Sequence, residues 1–204
     1  MHPRVRLMLL SAVAILIAAL AGVVLLGGSS GSSVATGSDG FAGAVSDVPA
    51  ANFTLTDQDG KTVSLRQFRG QVVILTFLYS TCRDTCPLMA DQIRGALDDV
   101  GAPVPAIAVS VDPVGDTRLN VQRFLFRASL TGRMHYLTGT RAQLAPVWHA
   151  YGIAPQTAGS SQSDHSAYVL LIDRRGRNRD GFPASELTPE SLAHDVRRLQ
   201  AEPA

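Results

Sequence analysis

The residues most able to do chemistry in this 204-residue chain are its only two cysteines, Cys82 and Cys86, four positions apart in YSTCRDTCPLM (Tyr79 to Met89). At the start of a helix, that spacing sets two side chains about one turn apart on one face. Three chemistries follow: a disulfide, dithiol exchange, or joint ligation of a soft metal ion. The amides and dipole of a helix N-terminus favour negative charge, so the thiol pKa values are expected to fall. Arg83, between the two, pushes the same way. Reactive or ligating thiolates are expected to be accessible, whereas inert cysteines prefer apolar burial. A bridge across so short a loop constrains little of the unfolded chain, which weakens a purely structural role.

Two thiolates hold soft copper but leave Cu(II) or Zn(II) short of ligands, so a third donor is sought among five histidines. His149 and His194 fall in expected amphipathic helices and read as solvated or partly packed, and His135 lies in a short strand. His165 differs. It closes a long polar loop, Ala154 to Asp164, and directly precedes an apolar strand, a junction where functional side chains concentrate. Met89, one turn past Cys86, reads as core-filling, and Asp112 and Asp164 as turn-capping or solvated.

The elements that must position these groups follow from pattern. Residues 52–57 and 61–65 alternate around a Gly-containing turn and read as a hairpin. Val72 to Tyr79 is an unbroken apolar run, expected as a central strand with both faces covered. Pro87 to Val100 is expected as a helix stopped by Gly101. Val104 to Val111 is a second buried strand, followed by a helix capped at Asp116 or Thr117. Met134 to Leu137 is a short strand, and Leu144, Val147, Trp148 and Tyr151 have helical spacing. Ser166 to Asp173 is another buried strand, Arg177 to Phe182 an expected edge strand, and Thr188-Pro189 opens a last helix. This is an α/β domain with the element order of the thioredoxin fold, carrying an N-terminal hairpin and an inserted strand and helix. In that fold the end of the first central strand is where reactive cysteines sit.

Leu7 to Leu26 is uncharged throughout. Twenty residues at about 1.5 Å each match a hydrocarbon core of about 30 Å, so one transmembrane helix is expected. Arg4 and Arg6 before it place the N-terminus, His2 included, on the cytoplasmic side and the rest outside. A signal peptide cleaved after Ala19-Leu20-Ala21 is the alternative, weakened by apolar residues continuing to Leu26. The expected organisation is an anchor over 1–26, a Gly/Ser-rich tether over 27–48 and a folded domain over 49–204. The expected location is an inner or plasma membrane, single-pass, with the domain on the periplasmic side. Net charge is +1, and of 18 basic residues only Lys61 is a lysine. No basic stripe interleaved with aromatics appears, which argues against nucleic-acid binding.

The segment FLYSTCRDTCPLM (Phe77 to Met89) resembles the Cys-x-x-x-Cys-Pro motif of the Sco/SenC family, copper-binding assembly factors of cytochrome c oxidase. VSVDPVGDT (Val109 to Thr117), LTGT (Leu137 to Thr140) and Asp164-His165 match further family segments in order, over roughly residues 50 to 200. Arg83 departs from the family's usual proline, and Val114-Gly115 from a Glu-Arg pair. The resemblance implies that Cys82, Cys86 and His165 ligate copper as Cu(I) or Cu(II), with Asp164 and Asp112 orienting the site. It implies a metallochaperone serving the copper-centre subunit of cytochrome c oxidase, supplied by a copper donor or a thiol-reductant protein. The competing reading is an enzyme, a thiol:disulfide oxidoreductase using Cys82 and Cys86. Cys-x-x-Cys is the usual spacing for that chemistry, and the extra residue here argues against fast exchange. A peroxidase would need a Pro-x-x-x-Thr-x-x-Cys approach, and Phe77-Leu78-Tyr79 holds no proline.

Overall fold

The computed structural model describes residues 41–155 and 167–203. The expected membrane segment, tether residues 27–40, Asp164 and His165 lie outside the described residues. Among those described, no helix is long and apolar enough to cross a membrane.

The order is β1 (Ala44–Pro49), β2 (Thr54–Asp57), β3 (Thr62–Ser64), a 3-10 turn (Leu65–Phe68), β4 (Val73–Leu78), α1 (Thr85–Val100), β5 (Ala106–Ser110) and α2 (Arg118–Arg127). Then come β6 (Met134–Thr138), α3 (Arg141–Tyr151), β7 (Tyr168–Ile172), β8 (Arg177–Pro183) and α4 (Pro189–Ala201). The strands form one sheet ordered β1-β8-β7-β4-β5-β6-β2-β3. β4 runs parallel to β5 and antiparallel to β7, so it lies at the sheet's centre with every side chain buried.

Alternate residues of β4 serve opposite cores. Ile74 and Leu78 join the cluster beneath α1, α2 and α4, built with Ile93, Val121, Leu125, Leu192 and Val196. Val73, Leu75 and Phe77 join the cluster beneath α3 and the hairpin, with Leu55, Val63, Leu137 and Trp148. The unbroken apolar run is thus the sequence image of a strand covered on both faces. Met89 is 2% exposed and fills the first core, as expected. α1 and α4 approach closely: a Cβ on Gly95 would stand 2.9 Å from the Pro189 Cβ, so only glycine fits there.

Two boundaries and one strand's place in the sheet differ from expectation. Residues 44–48, read as the end of a tether, belong to β1, which pairs antiparallel with β8 from Ala44↔Gly181 to Pro49↔Arg177. β8 is therefore not an edge strand. Helix α1 starts at Thr85 rather than Pro87, because Asp84 caps it by accepting the Thr85 N–H at 2.6 Å. Cys86 consequently sits inside the first turn, with Pro87 next to it where no amide partner is needed.

The N-terminal strap is held at its start. The Asp195 carboxylate of α4 accepts the Ala42 N–H at 2.8 Å and the Gly43 N–H at 3.1 Å, and Phe41 is buried. Asp180 of β8, fully buried, lies against the same carboxylate and close under Gly43. Burial first, and the neighbouring Asp195 second, push Asp180 up to about 8, so it carries a proton through the neutral range.

Candidate functional site

β4 ends at Leu78 and the chain turns through Tyr79 to Asp84 into α1, so the sheet's central strand aims the cysteine turn and the helix receives it. The turn closes with the Cys82 N–H donating to the Tyr79 carbonyl at 3.2 Å. The Cys86 N–H, one of the amides a helix start leaves without an intrahelical acceptor, donates to the Cys82 sulfur at 3.3 Å. Cys86 itself points into the core beside Met89 and Ala90. The Cys82 sulfur also lies 3.3 Å from a carboxylate oxygen of Asp84.

These contacts set the electrostatics. Cys82 is held down to about 6, first by the hydrogen bond from the Cys86 thiol, then by the Asp84 and Cys86 amides, against burial and the Asp84 carboxylate. Near neutral pH, Cys82 is therefore the thiolate. The Tyr79 hydroxyl hydrogen-bonds to Cys82 as well, and burial with that anion pushes the phenol's own pKa up. Asp84 is held below the usual range, chiefly by the Thr85 amide. The expected fall in thiol pKa is present at Cys82. Its causes are the partner thiol and two amides, while the Arg83 side chain lines a cavity on the outer side. The expected accessibility is not present: Cys82 is 7% and Cys86 2% exposed.

The turn is braced from below. The Asp116 carboxylate, 6% exposed, accepts the Ser80 N–H at 2.6 Å and the Tyr136 hydroxyl at 3.0 Å, linking the cysteine turn to β6. Burial raises the Asp116 pKa, and its hydrogen-bond donors oppose the rise. The helix cap expected at Asp116 or Thr117 is Thr117, leaving Asp116 for this bracing role. Asp112 turns its carboxylate onto the Val114 and Gly115 amides of its own loop, the turn-capping alternative.

The remaining histidines are elsewhere. His135 pairs with buried Asp57 at 3.2 Å, His194 meets Asp195 at 2.7 Å and His149 is exposed. Among the described residues, no third His, Cys, Asp or Glu joins the sulfurs in a metal-holding group. Tyr79, Asp84 and Asp116 were missed as contributors. Tyr79 lies just before the motif and Asp84 inside it, so both were readable locally; Asp116 touches Ser80 only through the fold.

An anionic sulfur and a thiol one turn apart form a donor set that fits a soft cation and equally a dithiol/disulfide couple. Comparisons with known proteins narrow the choice. The family model described as SCO1/SenC matches residues 44–201. The bovine "Protein SCO2 homolog, mitochondrial" is 28% identical over 166 residues, covering 76% of this chain and 60% of its own length. The chain thus spans about 60% of that relative. The solved structure of Bradyrhizobium japonicum ScoI with copper bound has a TM-score of 0.59 at 32% identity, covering 74% of this chain and 99% of that one. BsSco, described as having a disulfide switch and as a member of the Sco family of cytochrome c oxidase assembly proteins, has a TM-score of 0.67 at 23% identity. It covers 78% of this chain and 97% of its own, and at that identity shows the shared thioredoxin-like fold alone. Because one family's model runs from β1 to the end of α4, through the cysteine turn, the protein belongs to the SCO1/SenC family.

Proposed function

We propose that this domain binds copper through Cys82, Cys86 and His165 and helps assemble the dinuclear copper centre of a cytochrome c oxidase subunit. The observation that carries the reading is the sulfur pair at the start of α1, with Cys82 anionic near neutrality at about 6. Two cysteine sulfurs one turn apart suit Cu(I), and an imidazole added to them suits Cu(II). Support for His165 comes from the chain path. β7 runs antiparallel to β4, and the Thr76 hydroxyl donates to the Tyr168 carbonyl at 2.8 Å. The chain therefore re-enters the sheet, three residues after His165, at the end from which the cysteine turn leaves. The copper-bound ScoI and the oxidase-assembly description of BsSco point the same way. Support for a membrane tether and a periplasmic domain is the uncharged Leu7–Leu26 run behind Arg4 and Arg6.

The thiol:disulfide oxidoreductase reading is kept, because the low Cys82 pKa also suits nucleophilic exchange and BsSco carries a disulfide switch. His165 separates the two. Titration of the reduced full-length protein in detergent should give one copper per chain, with a sulfur-to-copper charge-transfer band for Cu(II). Cys82→Ala, Cys86→Ala and His165→Ala should each abolish tight Cu(II) binding. Cu(II) affinity unchanged in His165→Ala would remove the third ligand. Full disulfide-reductant activity in that variant, with no copper bound in cells, would favour the enzyme.

A further inference from the structure

Cys82 lines a cavity of about 350 Å³ between the cysteine turn and α2. Its charged lining is Arg83 from the turn, Arg123 and Arg127 from α2, and one acid, Asp91. That acid faces Arg94 at 3.8 Å. None of the three cavity guanidiniums has an ion-pair or hydrogen-bond partner among the described residues. Elsewhere Arg94, Arg133, Arg177, Arg179 and Arg197 each meet a carboxylate. Arg123 and Arg127 stand four apart on one helix face, a like-charge arrangement that opposes helix formation. α2, RLNVQRFLFR, contains no acid to relieve it.

We propose that this cavity docks an acidic polypeptide segment of the protein to which copper is passed, a role that rests on the copper-delivery reading. Guanidinium forks suit carboxylates, binding them through paired N–H donors. Phe124 and Pro87 supply apolar wall for the stem of a Glu or Asp side chain. Next to lining residues in sequence stand large exposed apolar groups: Leu88, 63% exposed beside Pro87, Leu119, 54% beside Asn120, and Phe126, 77% beside Arg127. A free anion uses the guanidiniums alone; a polypeptide also covers the Pro87 and Phe124 wall and can extend over exposed apolar groups of the same two helices, and this favours a protein segment. Three positive charges repel a bare copper cation, yet they draw an acidic partner to the one cysteine that lines the cavity, Cys82.

The test uses the full-length reduced protein in detergent and two fluorescent peptides, one alternating Glu and Leu and one alternating Gln and Leu. The Glu peptide should bind, weaken as salt rises, and lose about tenfold in affinity for each of Arg123→Gln and Arg127→Gln. Arg118→Gln, on the same helix but outside the cavity, should change nothing. A second measurement reads the neighbourhood of Cys82: the rate with a dicarboxylate aromatic disulfide relative to a neutral dipyridyl disulfide. That ratio should fall about tenfold in the double Arg→Gln variant. Equal binding of both peptides, or a ratio unmoved by the substitutions, overturns the docking site. So does displacement of the Glu peptide by free glutarate at the peptide's own concentration, which would mark a small-anion pocket. Copper stoichiometry, measured on the same variants, answers separately for the delivery reading: copper bound with no arginine effect removes only the docking proposal.

Discussion

The cysteine turn and the N-terminal strap are two corners of one domain that use the same residue types in opposite ways. At the strap, charge is matched: Arg177 meets Asp47, Arg179 meets Asp173 and Glu202, and Asp195 takes two backbone amides. The one excess carboxylate, Asp180, is neutralised by a proton. At the cysteine turn, charge is left available, with an anionic Cys82 and three guanidiniums lining one cavity, and no acid among the described residues pairs with those guanidiniums. The lesson is that matched charge fixes a chain segment, whereas unmatched charge near a reactive atom is held ready for something that arrives.

The largest effects should come from removing the buried carboxylate at each corner. Asp116→Ala strands the Ser80 amide and the Tyr136 hydroxyl, and should cost about 3 kcal/mol in urea unfolding. Asp195→Ala strands two strap amides and should cost a similar amount. Only Asp116→Ala should change the alkylation rate of Cys82. Equal changes from both would erase the distinction between the corners.

The pH dependences should have opposite signs. Asp180 is raised from an ordinary 3.8 to about 8, so its contribution is complete below about pH 4 and is lost as pH rises through 8. Cys82 is lowered from an ordinary 9.0 to about 6, so its contribution is complete above pH 9 and is lost as pH falls through 6. Each slope is at most about 1.4 kcal/mol per pH unit. Melting temperatures of Asp180→Asn should therefore gain on the parent from pH 5 to pH 8. Those of Cys82→Ser should lose ground from pH 6 to pH 9. Parallel curves for either variant and the parent would show that its group does not titrate as the geometry requires.

Smaller again is Tyr79→Phe, which removes a hydroxyl from the Cys82 sulfur. The alkylation midpoint of Cys82 in copper-free protein should rise by up to about one pH unit; a midpoint that stays near 6 would leave the partner thiol and amides as the whole cause. Smallest is Arg177→Ala at the strap, an exposed ion pair worth no more than about 1 kcal/mol and screened by salt. A larger loss would mean that β1 depends on that pair rather than on its ladder with β8.

Much of this was legible in order along the chain. Val73–Leu78 announced a strand by its length and lack of charged residues, and Thr188 announced a helix start by local capping chemistry. The cysteine pair and the corner it occupies were equally readable. β1 was not, because Ala44–Pro49 has the composition of a linker and becomes a strand only by pairing with β8. The early start of α1 had a signal, Asp84 as cap, which Pro87 overshadowed. Asp195 had one too, since it falls among Leu192, Val196 and Leu199 on the buried face of α4. The Asp116 brace and the meeting of Arg83 with Arg123 and Arg127 join residues some forty positions apart, and no local pattern encodes such meetings.

The hold of Asp195 on Ala42 and Gly43 also fixes how force enters the domain. A pull on the chain ahead of Phe41 meets that carboxylate first, and then the β1–β8 ladder. β7 stands between that ladder and β4, so the load is borne two strands away from the cysteine turn. The sulfurs can keep their spacing while the rest of the protein is tugged.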